Sequence, residues 1–260
     1  MDAIAKNDSI TALGSLQLTV VYDNNQWDER LDTAWGFSCL VQGTEKTVLF
    51  DTGGNGQLLI ANLEKLDIDP RGIDTVVISH VHADHAGGLG AVLEKNKEPV
   101  VYYPSSFPES FKEAVINYGT DAVAVQKPCR VCRGVWSVGE LGTRLKEQSL
   151  MIQTEHGLIV ITGCAHPGII ETIRAARKLG KADVLLALGG FHLRSADGTE
   201  MAGIIAGFRA MNVNCVGPCH CTGDNARKLF EQEYGGNYIH VGVGKSIGGL
   251  NKRLLRVDEK

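Results

Sequence analysis

Residues 80–85 read His-Val-His-Ala-Asp-His and follow directly on a β-branched run at 75–79. A buried strand that runs straight into three imidazoles and a carboxylate constrains the fold more than any other feature of this chain. Groups of that polarity need partners once a strand delivers them to a protein interior. His80 and His82, two residues apart on an extended segment, can converge on one ion, while Asp84 and His85 fall on the following turn and can serve a second ion beside it. Zinc and iron both accept imidazole nitrogen and carboxylate oxygen. The bland alternative is a polar loop whose histidines only cap a helix. Four such groups in six residues, between a buried strand and Gly87-Gly88, argue against it.

The same arrangement recurs along the chain. Residues 16–21, 37–41 and 47–50 read as strands, the third ending at Asp51-Thr52-Gly53-Gly54. Leu59, Leu63 and Leu66 then keep helical spacing over 57–66, ahead of Pro70. A strand at 100–103, a helix at 108–118 and short strands at 122–125, 135–138 and 149–153 follow. Beyond them the pattern alternates. Strands are predicted at 158–162, 184–188, 213–217 and 238–243, and helices at 169–179 (ended by Gly180), 200–211 and 224–234. Four strands finish in a histidine-bearing segment: His80/His82/His85, His166, His192 and His220. In layered α/β proteins that edge is where ligands gather, because a rigid sheet positions its loops.

Length and composition fit one domain over 1–260, made of two fused halves at approximately 1–150 and 151–260. Lys plus Arg number 26 against 30 acidic residues, a net charge of −4 with no basic stripe, which disfavours nucleic acid as a partner. The longest strictly apolar run is 184–188, too short to span a membrane. The first residues do not resemble a signal peptide, and seven cysteines is an odd number; reduced thiols in a cytoplasmic protein are expected. Cys129-x-x-Cys132 reads as incidental, since Pro128 precedes it and no second such pair exists. The glycine-rich 51–56 segment lacks the Gly-Lys-Ser/Thr ending of a phosphate loop. A small-molecule substrate is the expected partner, and the oligomeric state is left open.

Residues 80–89, HVHADHAGGL, resemble the signature of the metallo-β-lactamase fold superfamily, and Asp51-Thr52-Gly53 resembles its first motif. The resemblance covers essentially the whole chain. It implies an α/β protein, a four-layer αβ/βα sandwich, with one or two divalent ions at the inner strand ends. Zinc is the first choice and manganese or iron are alternatives. Three later segments resemble one branch of metal-dependent hydrolases of this fold: 163–169, 190–193 and 219–223. That branch includes dihydropterin-ribofuranosyl-aminobenzene-phosphate synthases. It implies a metallo-hydrolase or transferase acting on a small, phosphorylated, pterin-like substrate. A glyoxalase- or lactonase-like hydrolase and a metal-binding, ligand-sensing module without turnover are the competing readings.

The ligand set implied by the resemblance is His80, His82, Asp84, His85, His166 and His220, with Asp84 and His192 as catalytic candidates. The chain also departs from the superfamily pattern. It has no His-x-x-x-His between the halves, where only Glu147-Gln148 and His156 are on offer, and His156 reads as a hairpin turn. Cys164 stands where many members carry a bridging Asp. His166 is favoured as the replacement because imidazole reaches further, with Cys164 either a ligand or a buried filler. His192 could bind metal, contact a phosphate, act as general acid or be structural. Of Cys219 and Cys221, one is expected to face the core and neither to be a nucleophile.

Overall fold

A computed structural model describes residues 11–248. The first half runs β1 (Gln17–Asp23), β2 (Phe37–Gln42), β3 (Val48–Phe50), α1 (Gly56–Lys65), β4 (Thr75–Val77), α2 (Ala83–Ala86), α3 (Leu89–Lys95), β5 (Val100–Pro104), α4 (Glu109–Asn117) and β6 (Ala122–Val125). The second runs β7 (Cys129–Cys132), β8 (Val135–Ser137), β9 (Leu150–Thr154), β10 (Gly157–Thr162), α5 (Ile169–Gly180), β11 (Val184–Gly190), α6 (Gly198–Ala210), β12 (Val213–Cys219), α7 (Asp224–Tyr234) and β13 (Ser246–Gly248).

These strands form two mixed sheets, ordered β13-β1-β2-β3-β4-β5-β6 and β12-β11-β10-β9-β8-β7. The central strands of both sheets are buried on both faces, which is why they read as near-continuous apolar runs. Successive side chains leave a strand on opposite faces. In β3, Val48 and Phe50 enter the core between the sheets, while Leu49 joins the cluster beneath the first-half helices. In β10, Ile159 and Ile161 face the inter-sheet core, and Leu158 and Val160 face the second-half helices. Helix α5 lays Ile169, Ile173 and Ala176 on that last cluster, on the face its sequence spacing predicts. The result is the four-layer αβ/βα sandwich.

Three sequence expectations shift. Residues 238–243 do not form a strand. Tyr238 and Val243 each make one isolated bridge, to Val216 and Gln26, and the closing strand is β13, paired with β1. The chain changes sheets between Val125 and Cys129, earlier than the expected division near 150, and β13 returns to the first sheet. Cys129 and Cys132 themselves lie on a strand, β7, at an edge of the second sheet, and β8 follows them. Among the described residues, no helix is long and apolar enough to cross a membrane.

What positions the site is the parallel run at the centre of each sheet. Strands β3, β4, β5 and β6 are parallel, as are β10, β11 and β12. Their carboxyl ends carry Asp51, His80, residues 163–166, His192 and His220. Close packing holds the turns there. A Cβ on Gly88 would sit 2.1 Å from the Thr52 carbonyl oxygen, so only glycine lets the start of α3 rest on the Asp51-Thr52-Gly53 turn.

Candidate metal centre

The histidine segment divides as its spacing predicts. His80 and His82 lie ahead of α2, with His82 as its N-cap residue, and Asp84 and His85 lie within it. His80 Nε2 and His82 Nδ1 are 3.1 Å apart, and with His166 they form a group whose ligand atoms all lie within 4.8 Å of one another. Asp84, His85 and His220 form a second such group. Within it, His85 Nε2 and His220 Nε2 are 3.2 Å apart, and Asp84 Oδ2 lies 3.6 Å from the first and 3.4 Å from the second. Cys164 Sγ is 3.3 Å from His85 Nε2, and Cys164 also groups with His80 and His85. Every residue named in advance as a ligand therefore enters one of two adjoining clusters.

Each buried imidazole is turned by a partner at Nδ1. His85 Nδ1 meets Asp51 Oδ2 at 2.7 Å, and His166 Nδ1 meets Glu147 Oε2 at 2.8 Å. His220 Nδ1 meets Asn24 Oδ1 at 2.8 Å, and His80 Nδ1 meets Ser79 Oγ at 2.9 Å. The Ser79 hydroxyl itself donates to Asp51 Oδ2, which leaves its oxygen free to accept from His80. An acceptor at Nδ1 fixes the proton there and leaves the Nε2 lone pair free. At His85 and His220 the two Nε2 atoms approach to 3.2 Å. Burial works downward on His220, but its hydrogen bond with Asp84 outweighs it and raises the ring above the ordinary imidazole value. A cation against both nitrogens satisfies the contact in place of a shared proton. Two nitrogens on one tetrahedral zinc sit about 3.3 Å apart, given Zn–N near 2.0–2.1 Å. The donor set thus fits a divalent cation.

Electrostatics point the same way. Burial pushes His80 down to about 3 and His85 down to about 4, so both rings are neutral, the form that ligates. Burial works upward on Asp84, but the His220 hydrogen bond and the neighbouring His85 and His220 rings outweigh it and hold the carboxylate well below its usual range. Glu147 is 1% exposed. Burial alone would raise its carboxyl. The His166 hydrogen bond, the nearby His80 ring and backbone N–H donors hold it down to about 2. Those donors are the amides of Cys164, Ala165 and His166, at 2.8, 2.8 and 2.9 Å.

The backbone is also strained at the centre. Seven described non-glycine residues have positive φ, and four of them are Asp51, Ala165, His192 and His220. Left-handed backbone at a non-glycine residue persists only where surrounding contacts hold it, and it gathers at functional sites.

His192 adjoins the first cluster, grouping with Cys164 and His166. It is exposed, with its ring centroid 4.5 Å from that of His166, at the rim of a cavity of about 880 Å³ that His82, Leu141, Leu145 and Pro167 also line. His156 lies exposed in the β9–β10 hairpin turn, as its sequence context predicts. Cys219 faces the inter-sheet core, whereas Cys221 turns to the centre beside Cys164 and His192. Its hydrogen bonds with Cys164 and His192 push the Cys221 thiol down to about 5, and the Cys164 thiol is driven up. Sequence reasoning missed Asn24, Ser79 and the orienting role of Asp51, and offered Glu147 only as a replacement ligand. Asp51 and Ser79 carried a signal, since each lies at the end of a strand leading into the centre. Asn24, 196 residues from His220, carried none.

Fold and donor set together define a metal-dependent enzyme. The profile of the Metallo-beta-lactamase superfamily matches residues 36–184, and the chain belongs to that superfamily, as a hydrolase-like member. It is 29% identical, over 94% of its length and 98% of the relative's, to the 7,8-dihydropterin-6-methyl-4-(beta-D-ribofuranosyl)-aminobenzene-5'-phosphate synthase of Methanocaldococcus jannaschii. The crystal structure of Tm1679, a metal-dependent hydrolase of the beta-lactamase superfamily, superposes with a TM-score of 0.76 at 27% identity, covering 89% of this chain and 98% of that one. Human tRNase Z, short form, shares the fold at a TM-score of 0.54 and 13% identity, covering 89% of this chain and 98% of its own.

Proposed function

We propose that this protein hydrolyses a small phosphorylated substrate at a two-ion centre. His80, His82 and His166 would hold one ion and Asp84, His85 and His220 the other, with Cys164 at the boundary between them. The observation that carries this reading is the meeting of two ligand clusters, each drawing side chains from both halves of the fold, with His80, His85, His166 and His220 each turned by a partner at Nδ1. A divalent cation there supplies a Lewis acid and brings the pKa of water from about 15.7 to about 7.

The chain's own residues do the rest. Asp84, held ionised at the floor of the cleft, takes a proton from the attacking water. The bond between the electrophilic centre and its leaving oxygen then breaks, and that oxygen needs a proton. His192 sits at the rim, where its hydrogen bond with Cys221 raises it above the ordinary imidazole value and favours the protonated form that can donate there. Asp51, Glu147, Asn24 and Ser79 fix the rings and so lower the ordering cost of the reaction. The phosphorylated, pterin-like substrate class is supported by likeness to the methanogen synthase, which extends over nearly the whole of both chains.

The test is a panel of phosphodiesters, phosphate monoesters, lactones and thioesters offered to the metal-loaded protein. Turnover of phosphate esters, lost in Asp84→Ala, is expected. Turnover confined to lactones or thioesters would move the assignment to a glyoxalase- or lactonase-like hydrolase, and no turnover at all would favour a ligand-sensing module.

A further inference from the structure

A second cavity, of about 500 Å³, has His220 in its lining and not His192. Its walls include Asn24, Trp35, Arg194, Asn225 and Arg227. Two of these are unusual. Trp35 is 48% exposed, a large aromatic left open beside the metal centre, and its ring lies 4.8 Å from that of His220. The Arg194 guanidinium carbon lies 5.6 Å from the Trp35 ring centroid, within range of a cation–π contact.

The two arginines differ in what they can do. Arg227 is engaged: its Nη1 donates to Asn25 Oδ1 at 2.6 Å and lies 3.5 Å from Asp224. Arg194 has no carboxylate partner among the described residues. It is nevertheless held in place. Gly223, at φ +82°, packs so closely that a Cβ there would lie 2.7 Å from Arg194 Cα. Thr222 Oγ1 accepts from the Phe191 amide at 3.0 Å and ties the two loops together. Leu193, 6% exposed, anchors the segment in the core, so that exposed His192 and Arg194 flank a fixed point.

We infer that Arg194, pre-positioned on the Trp35 indole, binds a non-reacting phosphate monoester of the substrate beside the Asp84/His85/His220 cluster. The inference rests on the phosphorylated-substrate reading above and adds where that group is held. A guanidinium presents a planar fork of donors that matches two phosphate oxygens at once, and an arginine without a carboxylate partner has that fork free. Asn24 and Asn225 add amide groups to the same wall. Trp35 is a positioning residue: its ring holds the guanidinium by a cation–π contact. Arg194 lines the cavity that holds His220, and His192 lines the one that holds His82 and His166, so the substrate would reach from one cavity to the other, leaving group at His192 and anchoring phosphate at Arg194.

The experiment is calorimetric titration of the metal-loaded protein with ribose 5-phosphate and with ribose, repeated in Arg194→Ala, Arg194→Lys, Trp35→Ala and Trp35→Phe, with metal content measured in each. The wild type should prefer the phosphorylated sugar by roughly tenfold or more. Arg194→Ala should abolish that preference at unchanged metal content, and Arg194→Lys should restore part of it. Trp35→Phe should retain what Trp35→Ala loses. The preference should survive metal removal. No preference in the wild type, an undiminished preference in Arg194→Ala, or its loss on metal removal would each overturn the assignment. Intact, Arg194-dependent preference in a protein that turns over nothing would overturn the hydrolase reading and leave this pocket standing.

Discussion

His85 Nε2 and His220 Nε2 face each other at 3.2 Å, although 135 residues of chain separate them. One ring arrives from helix α2, which follows β4 of the first sheet, the other from the end of β12 in the second. Asp51 and Asn24 keep both protons on the far nitrogens. Each sheet thus contributes half of a coordination shell that neither completes alone, and cation binding couples the two halves of the fold.

Asp51 should prove an orienting residue whose loss is felt at the metal. Its oxygens accept from the Ser79 amide, the Ser79 hydroxyl and His85 Nδ1. Asp51→Asn sets an amide NH₂ against one of those donors. Stability should fall by about 2–4 kcal/mol, the cost of an unsatisfied buried group beside a broken network. Zinc affinity should fall by roughly 10–100-fold. A urea melt and a competition titration with a chromophoric chelator measure the two effects. Unchanged affinity would remove Asp51 from the account.

Glu147→Gln discriminates between the clusters. The substitution leaves one oxygen where two carboxylate oxygens now serve three amides and His166 Nδ1. The 163–166 segment should relax and His166 should lose its orientation. The expected result is loss of the ion held by His80, His82 and His166 with retention of the other. Elemental analysis should fall from two ions per chain towards one. Equal loss from both sites would mean that Glu147 supports the fold as a whole.

Acid should destabilise the metal-free protein in a defined window. His80 and His85 are pushed down to about 3 and about 4 from an ordinary value of 6.5. Below pH 6.5 the unfolded chain therefore binds protons that the folded chain refuses. The stability these rings contribute is present above pH 6.5 and is lost as pH falls towards 4 and below. Asp51 acts in the opposite sense. Burial pushes it up to about 7, so between pH 3.8 and 7 it keeps a proton in the fold that the unfolded chain has released. Two imidazoles outweigh one carboxyl. The Tm of the metal-free protein should drop between pH 6.5 and 4, and a flat or rising Tm across that range would contradict the burial of these rings.

The local part of the centre was legible in the sequence because it is contiguous. His80, His82, Asp84 and His85 span six residues after a strand, and the split between His80/His82 and Asp84/His85 follows from spacing alone. His166 and His220 were legible because each ends a strand in a β-then-α rhythm, and parallel strands bring such ends to one edge. The partners at Nδ1 were not legible. Asn24 meets His220 only because β1 and β12 lie in different sheets that pack together, and nothing in the spacing of residues 24 and 220 encodes that. Glu147 was noticed for its charge, but its role depends on the 163–166 turn folding over it. The error at 238–243 has a physical cause as well: a β-rich, apolar composition makes an extended segment, whereas a strand needs a free sheet edge to pair with. Trp35 and Arg194 lie in unremarkable loops, 159 positions apart, and only the folded chain brings them together.

Metal stoichiometry tests the central claim most directly. Purified protein loaded with zinc, freed of excess and analysed by inductively coupled plasma mass spectrometry should carry two ions per chain. His82→Ala and His220→Ala should each lose one ion, a different one in each case, while both variants keep the wild-type far-ultraviolet circular dichroism. A wild type that binds no zinc, manganese or iron, or variants whose metal content matches the wild type, would contradict the account.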